Sequence, residues 1–358
     1  MKFNLQAYSI LEYGKRKDAQ GNPHQEDSIY PLYNQSTPYD RLFIVCDGMG
    51  GHDAGEVASA TVCKALSDSI LSTPNVDANF TDEILEKAVS DAYAALDKVD
   101  TGAEKKMGTT LTLIKFHDNG CTIAHMGDSR VYHIRPGVDA NSTKILFQTR
   151  DHSLVNDLVR IGELTPEQAK NHPQKNVITR AMQPNGKRQR VDIYHTADIL
   201  QGDYFYLCTD GMLEQMEDRD IAAHFAISAG DDAMKVRALL QDTANNKDNH
   251  SAYIIHIWGV EGSARPLSNT PVIESHLPLN RTNNNSDEMH KKTLRLLLGL
   301  IIATIVVALG AFCSFSILTK CKSIKERTER QVDSDIDSDS YSADTPSSDD
   351  IEAVEDED

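Results

Sequence analysis

A run of five apolar residues, Leu42-Phe43-Ile44-Val45-Cys46, breaks off at Asp47-Gly48, with Met49, Gly50, Gly51 and His52 following. The run reads as a buried strand, and the chain beyond it repeats apolar residues at helical spacing through Ala58, Val62, Ala65, Leu66 and Ile70. A glycine-rich turn between strand and helix leaves a carboxylate at the strand end with main-chain carbonyls close by. Such an oxygen-lined corner suits a hard divalent cation. Three further strand-like runs meet an aspartate. Cys121-Thr122-Ile123-Ala124-His125-Met126-Gly127 leads into Asp128, Tyr204-Phe205-Tyr206-Leu207-Cys208-Thr209 into Asp210-Gly211, and Asp248-Asn249 precedes the alternating Ala252-Tyr253-Ile254-Ile255-His256-Ile257-Trp258. Strand ends gather at an edge of a sandwich of antiparallel sheets, so Asp47, Asp128, Asp210 and Asp248 are expected to converge on one cleft. Four carboxylates repel one another unless cations neutralise them. No His/Cys cluster of the kind Zn²⁺ favours accompanies them, and the set suits Mg²⁺ or Mn²⁺. Two such ions about 3.5–4 Å apart can activate a shared water and clamp a phosphoryl group.

Other stretches place the remaining elements. Residues 3–11 alternate weakly and predict a strand, and Gly21-Asn22-Pro23-His24-Gln25-Glu26-Asp27 is a turn ending in two acids. Gly108-Thr109-Thr110-Leu111-Thr112-Leu113 and the run from Cys121 form a predicted hairpin around Asp118-Asn119-Gly120. Strand character resumes at Val131-Tyr132-His133-Ile134. A helix is expected after Asp151-His152-Ser153, capped by Ser153 or Asp151, with Leu154, Leu158 and Ile161 on one face. Thr165-Pro166-Glu167-Gln168 carries the signature of a second helix start. Cys46, Cys121 and Cys208 lie in or beside apolar runs and read as small core residues, and no C-x-x-C pair suggests a disulfide framework.

The 358-residue chain has one clean boundary. Residues 1–260 mix strands, helices and turns, whereas 261–290 is polar and reads as a linker. Residues 296–318 run without a charge, long enough to cross a bilayer core, and are expected to form a transmembrane helix. From 320 to 358 the chain carries 14 acids and 5 bases, half of the formal net charge of −18, and its acidic Ser-rich end predicts disorder. The rest is mildly acidic with no basic run, which argues against nucleic-acid binding as the main task. Three cations precede the apolar span and five follow it, which alone would hold the tail inside. The first residues lack the apolar core of a signal peptide. The expected arrangement is therefore a single-pass membrane protein with a cytoplasmic domain at 1–260 and a translocated tail.

Gln25-Glu26-Asp27, Asp47-Gly48-Met49-Gly50-Gly51-His52, Gly108-Thr109-Thr110, Gly127-Asp128-Ser129-Arg130, Asp151-His152-Ser153, Asp210-Gly211 and Asp248-Asn249 stand in one order. Together they resemble the metal-dependent serine/threonine protein phosphatases of type 2C, the PPM family. Asp-Gly-Met-Gly-Gly-His resembles its bacterial branch, as does His172-Pro173 followed by Asn176-Val177-Ile178-Thr179-Arg180-Ala181. The resemblance covers about residues 5–258. It implies an α+β fold, a four-layer α-β-β-α sandwich of two antiparallel sheets flanked by helices, with a dinuclear Mn²⁺ or Mg²⁺ centre at one edge. It also implies that Asp47 bridges both metals and Gly48 offers its carbonyl. Asp210 and Asp248 complete one metal, and Glu26 and Asp27 hold the other through waters. Asp128 matches an acid that helps Asp210 bind a third, weaker ion in some members. The chemistry is expected at Asp47, Asp210 and Asp27: hydrolysis of phosphoserine and phosphothreonine in proteins by metal-activated water. A Ser/Thr kinase is the expected counterpart.

Two positions depart from the family. Its substrate-binding arginine, five residues before the acid matching Asp27, is Asn22 here, so Lys15, Arg16 or Lys17 is expected to reach over the cleft instead. The histidine that follows Asp-Gly in many eukaryotic members is Met49, and His52 does not inherit its role. Asn22 keeps a second reading open, a phosphatase-like sensor or binding domain with little turnover. A nucleotide phosphohydrolase would need a base-recognition loop that the sequence does not supply.

Overall fold

A computed structural model describes residues 1–50, 53–100 and 107–262. Gly51, His52, the linker from 263, the expected span at 296–318, the acidic tail, Cys313 and Cys321 lie outside the described residues. Among the described residues no helix is long and apolar enough to cross a membrane.

Two antiparallel sheets face each other. One orders β1 (Lys2–Glu12), β11 (His250–Glu261), β10 (Tyr204–Cys208), β7 (Arg130–Arg135) and β8 (Lys144–Gln148). The other orders β2 (Asp27–Tyr30), β3 (Leu42–Met49), β5 (Leu111–His117), β6 (Gly120–Met126) and β9 (Asp192–Thr196), with β4 (Gly108–Thr109) paired to β3. Phe43, Val45, Phe116, Phe205, Tyr253 and Ile255 fill the space between the sheets. Most strand residues are buried on both faces, which explains why their sequences run apolar rather than alternating.

Helices cover both outer faces. On one side α1 (Asp53–Leu71) lays Ala58, Val62, Leu66 and Ile70 on the β3 sheet, beside α2 (Asp82–Val99) with Leu85, Ala88, Ala92 and Leu96. On the other, α5 (Asp218–Phe225) and α6 (Asp232–Thr243) bring Ile221, Phe225 and Leu239 against Ile134, Tyr206 and Ile254. The four expected layers are thus present. Cys46, Cys63, Cys121 and Cys208 are buried free thiols.

Two local expectations change, and the choice of cap at the third helix is resolved. β3 does not stop at Cys46 but continues through Asp47 and Gly48 to Met49, because β2 pairs with its end and β4 prolongs its other side. The helix after Ser153 is short, α3 (Leu154–Arg160), and the residue it buries is Val155, while Ile161 is 63% exposed. Its cap is Ser153, which accepts from the Asn156 N–H, and Asp151 instead pairs with Arg130. The next helix, α4 (Pro166–Lys170), has the full capping box at Thr165 and Gln168.

Candidate metal centre and substrate cleft

The sheet edges bring the predicted acids together. Asp27 opens β2 directly opposite Asp47 on β3. Asp210 starts a 3-10 turn after β10, Asp128 follows β6, and Asp248 precedes β11. Asp128, Asp210 and Asp248 line one cleft of about 850 Å³, together with Arg16.

The backbone around Asp47 is fixed from the β4–β5 segment. Its N–H donates to the Thr110 hydroxyl at 3.0 Å, and its carbonyl accepts from the Thr109 hydroxyl and the Thr110 N–H, each at 2.9 Å. Gly48 N–H donates to the Glu26 carbonyl at 3.1 Å. A Cβ on Gly48 would lie 2.1 Å from the Gly55 carbonyl oxygen and 2.5 Å from that of Glu26. The glycine is therefore required by the close approach of α1 to β3. Gly55 leaves equivalent room for the Glu26 carboxylate, which a Cβ there would meet at 2.6 Å.

Glu26 is gripped by residues that carried no role in the sequence. Its N–H donates to Asn249 Oδ1 at 2.8 Å and its carbonyl accepts from the Ser59 hydroxyl at 2.5 Å. The Asn249 amide in turn donates to the carbonyls of Tyr13 and His24. Thr209 donates to Asp27 Oδ2 at 3.2 Å. Asn249 and Thr209 flank the acids Asp248 and Asp210, and that adjacency was the available signal.

Burial first, and then mutual repulsion, raises the carboxyls of Asp27, Asp47, Asp128 and Asp210. Burial, then Asp27, Asp210, Asp128 and Asp248, raises Asp47 well above the ordinary carboxylate range. Burial and Asp210 lift Asp27 to about 8. Burial with Asp210 and Asp151 lifts Asp128 to about 8, and burial with Asp248 lifts Asp210 to about 6. Oε1 of Glu26, Oδ1 of Asp27 and Oδ1 of Asp128 are buried and accept no hydrogen bond. Buried oxygens are ordinarily partnered, so three orphans in one acid cluster fit a hard divalent cation. The donor set is oxygen throughout.

A tighter group of potential ligands, His125, His152 and Asp192, has its donor atoms within 4.8 Å of one another. It is ill suited to a cation. The two imidazoles stack 28° from parallel, which keeps their in-plane lone pairs from converging. His152 Nδ1 accepts from the Gly127 N–H at 3.1 Å, so Nε2 carries the proton and donates to Asp192 at 3.0 Å, where Arg180 adds its own positive charge. This is a hydrogen-bond relay that braces the turn before Asp128. The acid cluster borders the cleft at Asp128, Asp210 and Asp248, which leaves room there for the waters that Mg²⁺ and Mn²⁺ retain.

Of the three candidate cations, Arg16 reaches the site. Its guanidinium forks onto Asp248 at 2.6 and 3.1 Å and lies 3.6 Å from Glu26. Asn22 turns away, its amide donating to Asp18 at 3.0 Å. The bridge between Lys17 and Pro23 and the bond from His24 N–H to the Arg16 carbonyl fold residues 14–24 so that Arg16 faces the acids.

The model of the family described as "Protein phosphatase 2C" matches residues 13–246. The serine/threonine protein phosphatase PstP of Mycobacterium tuberculosis is 35% identical over 213 residues, which are 59% of this chain and 38% of PstP. The protein phosphatase PhpP of Streptococcus pneumoniae is 36% identical over 188 residues, 50% of this chain and 72% of PhpP. The chain thus spans well under half the length of PstP. The catalytic domain of PstP, solved in complex with two manganese ions, superposes with a TM-score of 0.53 at 28% identity, covering 71% of this chain and 98% of that domain.

Proposed function

The chain belongs to the protein phosphatase 2C family, and on that premise we propose that it hydrolyses phosphoserine and phosphothreonine in proteins with Mn²⁺ or Mg²⁺. The observation that carries this reading is the trio of buried oxygens on Glu26, Asp27 and Asp128 around Asp47 that accept no hydrogen bond. In this reading Asp47 would serve both ions and Gly48 would offer its carbonyl, while Asp210 and Asp248 would hold one ion and Glu26 and Asp27 the other through waters. Asp128 with Asp210 offers a third, weaker position. When bound, the cations activate water and offset the charge of the phosphoryl oxygens.

The chain's own residues hold that arrangement and receive the substrate. Thr109 and Thr110 lock Asp47 in place, and Asn249 and Ser59 lock Glu26. Arg16 takes the role that Asn22 cannot: its planar fork, seated on Asp248, exchanges that carboxylate for two phosphoryl oxygens. Its partners are phosphorylated proteins and the kinase that forms them. The full chain should dephosphorylate phosphopeptides with Mn²⁺, lose turnover reversibly in EDTA, and lose it in Asp47→Asn and Asp210→Asn. Arg16→Ala should lower kcat/KM by about 1.5–3 kcal/mol, the scale of hydrogen bonds to a charged group. Undiminished turnover in chelator, or in both asparagine variants, removes the two-metal reading.

We propose further that residues 296–318 anchor this enzyme as a single-pass membrane protein with its catalytic domain in the cytoplasm. The uncharged length of that segment supports it. Protease added to intact cells should trim the tail and spare the domain, and the reverse pattern rejects the topology.

A further inference from the structure

The cleft beside the acid cluster extends well past the space a phosphoryl group fills. It is lined by residues of α3, α4 and the segment after them, including Val155, Val159 and Lys175, and by Leu213 and Lys247 beside the acids. Pockets of about 300–1,000 Å³ enclose whole small ligands, so 850 Å³ has room for the side chains next to a phosphorylated residue.

The charges in this cleft are unevenly committed. Asp128, Asp210 and Asp248 belong to the proposed metal centre. Asp151 is engaged by the Arg130 fork at 2.6 and 2.7 Å. Glu214 accepts the backbone N–H groups of Lys247 and Asp248 at 2.8–3.1 Å. Lys170 pairs with Glu217 at 2.9 Å. The ammonium groups of Lys175 and Lys247 have no hydrogen bond or ion pair among the described residues, and both line the cleft. Lys247 adjoins Asp248, so one of these cations lies close in sequence to the reaction centre and the other on the α3–α4 side.

We infer that the cleft selects phosphopeptides with an acidic residue flanking the phosphorylated one, held by Lys175 and Lys247, with an apolar neighbour against Val155 and Val159. This rests on the phosphatase reading and adds its substrate class. A carboxylate there gains two cations without displacing an existing partner, whereas a basic residue meets them as like charges. Exposed ion pairs are individually weak, so the preference is modest and sensitive to salt.

The test compares the full chain with Mn²⁺ on three phosphothreonine peptides that differ only in acidic, neutral or basic flanks. The acidic peptide should lead the neutral one by about three- to tenfold in kcat/KM at low salt, two exposed pairs' worth. The lead should shrink in 0.5 M NaCl, and the double variant Lys175→Glu/Lys247→Glu should prefer the basic peptide. Fluorescence anisotropy with non-hydrolysable phosphonate versions of the same peptides reads the same order without turnover. Hydrolysis of none of the peptides would reject the phosphatase reading, and the anisotropy order would still decide this one. Equal values for all three flanks in both assays, or a preference that survives charge reversal, overturns the inference.

Discussion

Asp27 stands opposite Asp47 in the β2–β3 pairing, and two carboxylates held so close in a desolvated corner resist ionising together. Their protons have a measurable consequence. Asp27 and Asp128 titrate near 8 in the metal-free fold, with Asp210 near 6, against an ordinary value of 3.8. The folded state therefore binds more protons than the unfolded chain between about pH 4 and 8. Stability of the metal-free protein should be greatest at the low end of that window and fall as pH rises through the folded values. Divalent cations bind the deprotonated form, so their stabilising effect should grow over the same range. Melting curves in EDTA from pH 5 to 8.5 should show a falling Tm, and saturating Mn²⁺ should remove the fall. A flat profile in EDTA would mean that these acids do not share one site.

At the scale of elements, what was legible in the sequence is what depends on near neighbours. The apolar run before Asp47, the periodicity of α1, the Asp118-Asn119 hairpin turn and the capping box at Thr165 all follow from local patterns, and each is present. The α3 face was misread because the pattern assumes a helix packed on a core, whereas α3 forms a wall of the cleft and buries little beyond Val155. Gly48 was legible as a glycine but not in its reason. Its missing side chain admits the Gly55 carbonyl of α1, a contact that depends on how helix and strand dock. The acids were legible because each ends or begins an apolar run. The arrival of Arg16 was not decidable among three cations, since its partner Asp248 is 232 residues away and the turn between Lys17 and Pro23 sets its direction.

Across the whole domain, three apolar layers are joined through two sheets that each face two of them. β3 contributes Ile44 to the layer under α1 and Phe43 and Val45 to the layer between the sheets, while β11 contributes Tyr253 to that middle layer and Ile254 to the one under α6. A loss under α1 is thus transmitted through strands that cannot keep one face packed and release the other. The only tryptophan, Trp258, reports from the far side: it lies on β11, half-exposed, with its indole N–H donating to Asp232 of α6 at 3.4 Å. Leu66, fully buried in the α1 layer, makes the perturbation. Leu66→Ala should cost about 2–5 kcal/mol, the range for emptying such a site. If the layers unfold as one unit, denaturant curves followed by Trp258 fluorescence and by far-ultraviolet circular dichroism should coincide in wild type and move together in the variant. A dichroism transition that shifts while the Trp258 transition keeps its wild-type midpoint would show that the two helical layers melt independently. The acid cluster, assembled from β2 and β3 of one sheet and from the ends of β10 and β11 of the other, would then lose its shape before the domain had unfolded.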